Sequence, residues 1–233
     1  MTKIIFVYGA ENPAARKLIE DFYRDGHRVY AGVTGNNKET IEAIRKNCQD
    51  VTAFMINPAD ISSVKKAADY IREKEGHLDI LVLSSEKRCT DDGEIGKIHD
   101  YEEIMKVYDF NVNGVFKTIQ TFLPLLRLGN TKRIAFLNRA ESSINWCLNT
   151  VNYAYHMSLA SINMMLKIYF NALRPEGFTF RNYCWDEDEN GKRLIMPARD
   201  YILRDFYNEP HEAFRSEENR LVMRDSFHRE IPW

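Results

Sequence analysis

Apolar residues follow two different spacings along this chain, and the two spacings alternate. Short continuous apolar runs are typical of buried strands, whereas apolar residues that recur every three or four positions are typical of helices with one buried face. The runs that predict strands are residues 3–8, 29–33, 51–56, 80–83, 133–137, 178–183 and 220–224. The segments that predict helices are residues 14–24, 39–47, 60–75, 101–126, 152–175 and 198–206. This alternation predicts an α/β fold with a doubly wound parallel sheet between two helical layers, a three-layer α/β/α arrangement.

The helix predicted at residues 152–175 is the segment around which the rest of the chain is organised. Its apolar side chains recur three and four positions apart and define a broad buried face. They are Leu159, Ile162, Met165, Leu166, Tyr169 and Leu173. Pro175 and Gly177 are expected to end the helix. Tyr155 lies in its first turn, and Ser142 lies thirteen positions upstream.

Composition narrows the class of protein. A chain of 233 residues with 44% hydrophobic residues can bury a full core, and we expect one domain over residues 1–233. The formal net charge of -2 gives no broad basic surface for nucleic acid, and no apolar run reaches the ~20 residues that span a membrane. The first residues, MTKIIFVYG, enter a strand directly, so no signal peptide is expected. The four cysteines form no CxxC pair, which favours reduced thiols and a cytoplasmic protein.

Three phrases in the chain carry a family resemblance. They are GHLDILV at residues 76–82, FNVNGVFKTIQTFLPLL at residues 110–126 and NALRPEGF at residues 171–178. Together with the order of elements over residues 3–177, they resemble the short-chain dehydrogenase/reductase family. The resemblance implies a Rossmann-like fold, oxidoreductase chemistry with NAD(P), and a homodimer or homotetramer that forms through the two long helices.

The turn after the first strand departs from the family pattern. The family's TGxxxGxG turn lets backbone amides reach the cofactor diphosphate. Here the turn reads YGAENPAA, which keeps Gly9 and has Pro13 and Ala15 where the second and third glycines belong. Proline has no N–H to donate but is well tolerated at the first helical position. The segment is either a modified nucleotide loop or an ordinary turn, and the sequence favours the ordinary turn.

The other cofactor positions also depart from the family. Residues 33–36 carry neither the acidic residue expected for NAD nor the basic residue expected for NADP. Glu86 replaces the last glycine of the family's NNAG turn and would put a negative charge near the cofactor phosphates. If a pyridine nucleotide binds at all, the candidate cofactor-binding residues are Gly9, Glu11, Asn12, Thr34, Asn57 and Ser84.

Three residues match the family's catalytic positions. Tyr155 corresponds to the tyrosine that protonates a carbonyl, Ser142 to the serine that shares its hydrogen bond, and Asn111 to the helix asparagine that organises a water in the proton relay. The lysine that the family places four residues after the tyrosine is Leu159 here. A free tyrosine has a pKa near ~10, and without that lysine Tyr155 is a poor acid at neutral pH. Asn111 can equally have a structural reason to lie within a long helix.

The serine position depends on how it is counted. Counting back thirteen from Tyr155 reaches Ser142, whereas counting forward from the fifth strand reaches Arg139. The two counts differ by three residues, which predicts an insertion in this loop. Ser143 is then an equal candidate, and an ordinary loop serine is a third interpretation.

The segment CWDEDENGKRL also has two interpretations. Its DxDxNG half matches the start of a calcium-binding EF-hand loop, but Pro197 stands where the twelfth-position glutamate is required. A β-hairpin about the Asn190-Gly191 turn is favoured. No histidine pairs with another ligand at metal spacing, so no metal site is expected.

Two hypotheses about function follow. The first is a member without ordinary dehydrogenase activity that acts as a binding, regulatory or scaffold protein. The alternative is an atypical NAD(P)(H)-dependent carbonyl reductase or alcohol dehydrogenase that uses Tyr155 with Ser142 and Asn111. The partner expected from the sequence is a second copy of the chain, because both long helices carry more apolar residues than one sheet face can cover. These residues are Val107, Phe110, Phe116, Ile119 and Phe122 on the first helix, and Met157, Met164, Met165 and Ile168 on the second.

Overall fold

One eight-stranded sheet forms the centre of the part of the chain that is described. The computed structural model describes residues 1–35, 37–84, 86–89, 96, 100–185, 196–204 and 218–233. The strands are β1 (Ile4–Tyr8), β2 (Arg28–Thr34), β3 (Thr52–Ile56), β4 (Ile80–Ser84), β5 (Arg133–Asn138), β6 (Thr179–Cys184), β7 (Met223–Arg224) and β8 (Glu230–Ile231). They lie in the order β3-β2-β1-β4-β5-β6-β7-β8, and every pair is parallel except β7 with β8. The first six strands therefore follow the Rossmann order, and the predicted doubly wound sheet is confirmed.

Helices cover both faces of the sheet. They are α1 (Pro13–Arg24), α2 (Lys38–Asn47), α3 (Ile61–Glu75), α4 (Tyr101–Tyr108), α5 (Gly114–Leu128), α6 (Tyr153–Leu173) and α7 (Met196–Leu203). Side chains from α1, α2 and α7 share one apolar cluster with the sheet, and those from α3, α5 and α6 share another. Both faces of strands β1 and β4 are consequently buried, which explains why these strands read as continuous apolar runs.

The long helix predicted at residues 101–126 is interrupted within its length. A single π-helical turn, Asp109–Asn113, separates α4 from α5. Asn111 lies in this turn, and its side chain is fully buried. A π turn adds a residue to the helix and reorients the side chains at that point. This geometry points the Asn111 amide at the loop after β4 and not along the helix surface.

Some of the apolar residues that were predicted to form an interface on the two long helices are buried in the core of the chain instead. Val107, Ile119 and Phe122 are fully buried within the chain, and the Phe122 ring stacks on Phe6 with centroids 4.4 Å apart. The sequence spacing could not distinguish a wide core face from an interface. The side chains that do remain exposed on these helices include Phe116, Met157, Met164 and Ile168.

The end of the chain differs from the prediction in its details. The last parallel strand is the two-residue β7, shorter than the predicted residues 220–224, and a further antiparallel strand, β8, covers it. His228, between the two strands, adopts a positive φ of 60° and makes the turn. The predicted hairpin about Asn190-Gly191 and the EF-hand-like segment lie outside the described residues.

Candidate functional site

The candidate site lies at the carboxyl ends of β1, β4, β5 and β6, where open parallel sheets bind their ligands. The turn or loop after each strand contributes one residue. Asn12 follows β1, Glu86 follows β4, Arg139 follows β5 and Trp185 follows β6. Tyr155, in the first turn of α6, packs beside them. The sheet topology thus brings residues that are far apart in sequence to one place.

An ion pair occupies the centre of this site. The Arg139 guanidinium donates from Nη2 and Nε to Glu86 Oε1, at 2.6 Å and 3.2 Å. The guanidinium also lies over the Trp185 ring, with Cζ 4.0 Å from the ring centroid. Burial alone would lower the pKa of Arg139, but the charge and hydrogen bonds of Glu86 outweigh it and raise that pKa. The guanidinium is therefore fixed in its charged form.

Three further side chains converge on the same carboxylate. Asn12 Nδ2 donates to Glu86 Oε2 at 2.9 Å, and the Tyr155 hydroxyl donates to Glu86 Oε1 at 3.3 Å. The Arg88 guanidinium lies 3.6 Å from Glu86 Oε1 and stacks 4.3 Å above the Tyr155 ring. We call Asn12, Glu86, Arg139, Tyr155 and Trp185 the Glu86 cluster. The space that they enclose has no room for a water molecule.

The electrostatics of the cluster disfavour proton transfer by Tyr155. Burial raises the pKa of Tyr155, and the negative charge of Glu86 raises it further. Arg139 and Arg88 act in the opposite direction, but they do not reverse the shift. Leu159, which stands at the lysine position of the family, is 1% exposed and places an aliphatic side chain against the cluster. Tyr155 is therefore held as a neutral phenol.

Ser142 has its hydrogen bonds elsewhere. Its hydroxyl lies 3.4 Å from Met223 Sδ and accepts from Asn163 Nδ2 at 3.1 Å. The neighbouring Ser143 hydroxyl donates to the Pro232 carbonyl oxygen at 2.6 Å. The residue directly after β5 is Arg139, as the forward count predicts, and a short 3₁₀ helix separates it from Ser143. Neither serine hydrogen-bonds Tyr155, so the structure does not bring the predicted Tyr155 and Ser142 together.

Asn111 joins three segments of the chain. Its Oδ1 accepts from the Lys87 backbone N–H at 2.8 Å, and its Nδ2 donates to the Lys87 carbonyl oxygen at 2.9 Å. The same Nδ2 donates to Ser158 Oγ on α6 at 2.9 Å. The side chain thereby holds the loop that carries Glu86 against α6. This is the structural reason for a buried asparagine within the helix.

The first turn of the chain is organised by contacts within the protein. Gly9 has a φ of 82°, and a Cβ there would lie 1.6 Å from the Ser84 carbonyl oxygen. Only glycine fits this approach between β1 and β4. Asn12 Oδ1 caps α1 by accepting from the Ala14 N–H at 2.8 Å, and Pro13 takes the first helical position. These contacts correspond to the ordinary turn that the sequence favours.

The end of β2 is likewise closed by the protein. Both Glu11 carboxylate oxygens accept from Thr34, one from its backbone N–H at 2.8 Å and the other from its hydroxyl. Burial raises the pKa of Glu11, while the hydrogen bonds from Thr34 lower it in part. Asn57 bonds within its own turn, with Oδ1 accepting from the Ala59 N–H at 3.1 Å. The Glu11 carboxylate and the Thr34 hydroxyl thus satisfy each other at the end of β2.

Comparison with known proteins identifies the family to which this chain belongs. The family model described as short chain dehydrogenase matches residues 3–180. The chain belongs to the short-chain dehydrogenase family. The oxidoreductase YxbG of Bacillus subtilis, named as uncharacterized, is 30% identical over 128 residues, which cover 53% of this chain and 45% of that relative. The C-signal protein of Myxococcus xanthus is 30% identical over 106 residues, which cover 44% of this chain and 64% of the relative. The matched part thus spans about half to two thirds of these relatives.

A match to a solved structure confirms the fold. The chain matches Pseudomonas aeruginosa RhlG, solved as an NADP active-site complex, with a TM-score of 0.68 and 19% identity. The match covers 79% of this chain and 72% of that one. At this identity the likeness establishes the three-layer α/β/α fold alone.

Three features of this site differ from what a pyridine nucleotide would need. The Glu86 cluster fills the place beside Tyr155, Pro13 removes one backbone donor, and Glu11 occupies the end of β2. Sequence reasoning noticed the charge at Glu86 but missed its pairing with Arg139 and the stacking of Trp185. Opposite charges in the loops that follow two neighbouring parallel strands were the signal that could have revealed the pair.

The described ranges contain neither a membrane-spanning helix nor a cluster of metal ligands. No helix there is long and apolar enough to span a bilayer. Across the same residues, no group of three His, Cys, Asp or Glu side chains is arranged to hold a metal ion.

Proposed function

We propose that this short-chain dehydrogenase family member lacks ordinary NAD(P)-dependent dehydrogenase activity and acts as a binding, regulatory or scaffold protein. The observation that carries the proposal is the Glu86–Arg139 pair. A carbonyl substrate and the reactive end of a cofactor would both have to approach Tyr155, and the Glu86 carboxylate already bonds its hydroxyl. The family fold is retained, while the space for the chemistry is filled.

The cost of opening the site supports this proposal. A nicotinamide beside Tyr155 would displace the carboxylate from Arg139 and Asn12. Hydrogen bonds to charged groups contribute about 1.5–3 kcal/mol each, so opening the site would consume much of the binding energy of a micromolar ligand, about 8 kcal/mol. The carboxylate would also lie near a polyanionic cofactor.

The acid–base argument is independent of the steric one. In the family, a lysine one helical turn after the tyrosine lowers the pKa of the tyrosine. Here Leu159 offers no charge, and burial together with Glu86 shifts the pKa of Tyr155 upward. Losses of general-acid catalysis typically cost a factor of about 10²–10⁴ in rate.

Calorimetric titration with NADH and NADPH tests the proposal. We expect no binding tighter than roughly 0.1 mM, about -5.5 kcal/mol. The matched control is the double variant Glu86→Gly with Arg139→Ser, which restores the family's residue types on both sides of the site. The affinity of this double variant for NADH or NADPH should be at least about tenfold higher, because the substitutions open the space beside Tyr155. Low-micromolar affinity in the unmodified protein would overturn the proposal.

The alternative function is an atypical NAD(P)(H)-dependent reductase. It is favoured by the oxidoreductase names of the relatives and by two guanidinium groups beside Tyr155, from Arg139 and Arg88, which could take part of the role of the missing lysine. A screen of ketones, aldehydes and sugars with both reduced cofactors distinguishes the two. Turnover that disappears in Tyr155→Phe would establish this alternative.

We also propose that the chain forms a homodimer or homotetramer through α5 and α6. An apolar groove of about 540 Å³ runs between the two helices and is lined by Phe116, Met164, Ile168 and Tyr169 among others. Phe116, Met164 and Ile168 are 47%, 63% and 61% exposed, which is a large apolar surface for one chain. A cytoplasmic location stays a prediction from the sequence.

A further inference from the structure

A second groove lies away from the Glu86 cluster, between α6 and the segment that contains β7 and β8. Its volume is about 420 Å³, within the range of small-molecule sites. We call it the tail groove. Its walls are apolar and come from Ile144, Met164, Leu221 and Trp233. These four apolar side chains surround the groove and favour a ligand with an apolar part.

The Ser142 hydroxyl lies at the floor of the tail groove and, within the described residues, donates only to a weak hydrogen-bond acceptor. Ser142 is 2% exposed and lines the groove together with Asn163, which is 6% exposed. The acceptor nearest to the Ser142 hydroxyl is Met223 Sδ, 3.4 Å away. Thioether sulfur is a weak acceptor, so this hydroxyl can turn to a ligand oxygen at little cost.

Among the charged side chains that line the tail groove, one cation has no ion-pair partner in the described part of the chain. Arg220 and Glu230 both line it and neutralise each other, with Arg220 Nη2 donating to Glu230 Oε2 at 2.8 Å and Nη1 donating to Oε1. Lys167 also lines it, and its ammonium lies 5.0 Å from the Phe170 ring centroid. Across the described residues, Lys167 makes no ion pair.

We propose that the tail groove binds a small amphipathic monocarboxylate. Lys167 lies one helical turn after Asn163 on the same face of α6, so a carboxylate can lie between the Lys167 ammonium and the Ser142 hydroxyl. The apolar body of the ligand then packs against Met164 and Trp233. One unpaired cation matches one carboxylate, and the apolar walls exclude a small, strongly hydrated anion. The site does not depend on the loss of dehydrogenase chemistry.

Octanoate is the probe that tests this site. In calorimetric titration of the full chain we expect a dissociation constant of about 0.1–1 mM, which corresponds to a modest affinity per ligand atom. Octylamine, which has the same chain and the opposite charge, should bind at least about tenfold more weakly. The absence of octanoate binding up to about 10 mM, or equal affinity for octylamine, would overturn the proposal.

Two variants locate the binding. Lys167→Met should weaken octanoate about two- to fivefold, because it removes an exposed charge and keeps the aliphatic stem. Ala160→Phe places a ring in the groove and should weaken binding at least about tenfold. Lys65→Met, the same change at an exposed lysine of α3, is the matched control and should leave the affinity unchanged. If Ala160→Phe does not fold, Lys167→Met decides: unchanged octanoate affinity in that variant refutes the site.

Discussion

The Glu86→Ala substitution gives the most direct measure of how tightly the candidate site is closed. Glu86 accepts hydrogen bonds from Arg139, Asn12 and Tyr155, and its side chain is 19% exposed against 13% for Arg139. Each bond to a charged group contributes about 1.5–3 kcal/mol, but water can reach part of the pair and the contributions are not additive. We therefore expect the free energy of unfolding to fall by about 3 kcal/mol, because the substitution leaves a mostly buried guanidinium without its carboxylate.

Urea unfolding of four proteins measures this effect and isolates the pair. The set is the unmodified chain, Glu86→Ala, Arg139→Ala and the double variant. The double-mutant cycle should give a coupling energy of about 1.5 kcal/mol between Glu86 and Arg139. Glu73→Ala, at an exposed position of α3, is the control and should change stability by less than about 0.5 kcal/mol. A coupling energy below about 0.5 kcal/mol would mean that the pair is a loose surface contact and that the site can open readily.

Three further predictions address the turn, the interface and the response to pH. Gly9→Ala should destabilise the protein by about 3 kcal/mol or more in urea unfolding, because its Cβ would meet the Ser84 carbonyl oxygen and φ is positive; a change below about 1 kcal/mol would contradict this. Phe116→Glu should convert the expected dimer or tetramer into a monomer in light scattering, whereas Phe227→Glu, at an exposed phenylalanine outside α5 and α6, should not. Burial raises the pKa of Tyr30 to about 12, so the folded state holds its phenol proton where the unfolded state has lost it. The free energy of unfolding should then fall as pH rises from about 10 to 12, and more steeply than in Tyr30→Phe.

The fold was predictable because it depends on many residues at once. The positions of the strands and the helical layers follow from apolar runs such as residues 80–83, where one substitution changes little. The end of the chain was predicted less well. A two-residue strand such as β7 is too short to show a spacing, and its pairing with β8 depends on a turn at His228 that the sequence does not mark.

The candidate site was predicted only one residue at a time. The spacing identified Tyr155 and the missing lysine at Leu159, because both lie on one helix with a known period. The partner of Glu86 is 53 positions away, and only the parallel register of β4 with β5 brings Arg139 beside it. Ser142 was placed by counting back from α6, although the intervening loop has its own 3₁₀ helix, which changes the count.

The Asn111 side chain has a consequence for how this protein should be classified. Its two bonds to the Lys87 backbone and its bond to Ser158 are explained by the folded chain alone, without any reaction. The same holds for Gly9, whose lack of a side chain is required by Ser84. Because such residues are required by the fold, their match to the family pattern indicates common ancestry. It does not indicate whether the protein is catalytically active. More informative for the reaction are Leu159 and Glu86, because these positions carry residue types that differ from those the family's chemistry uses.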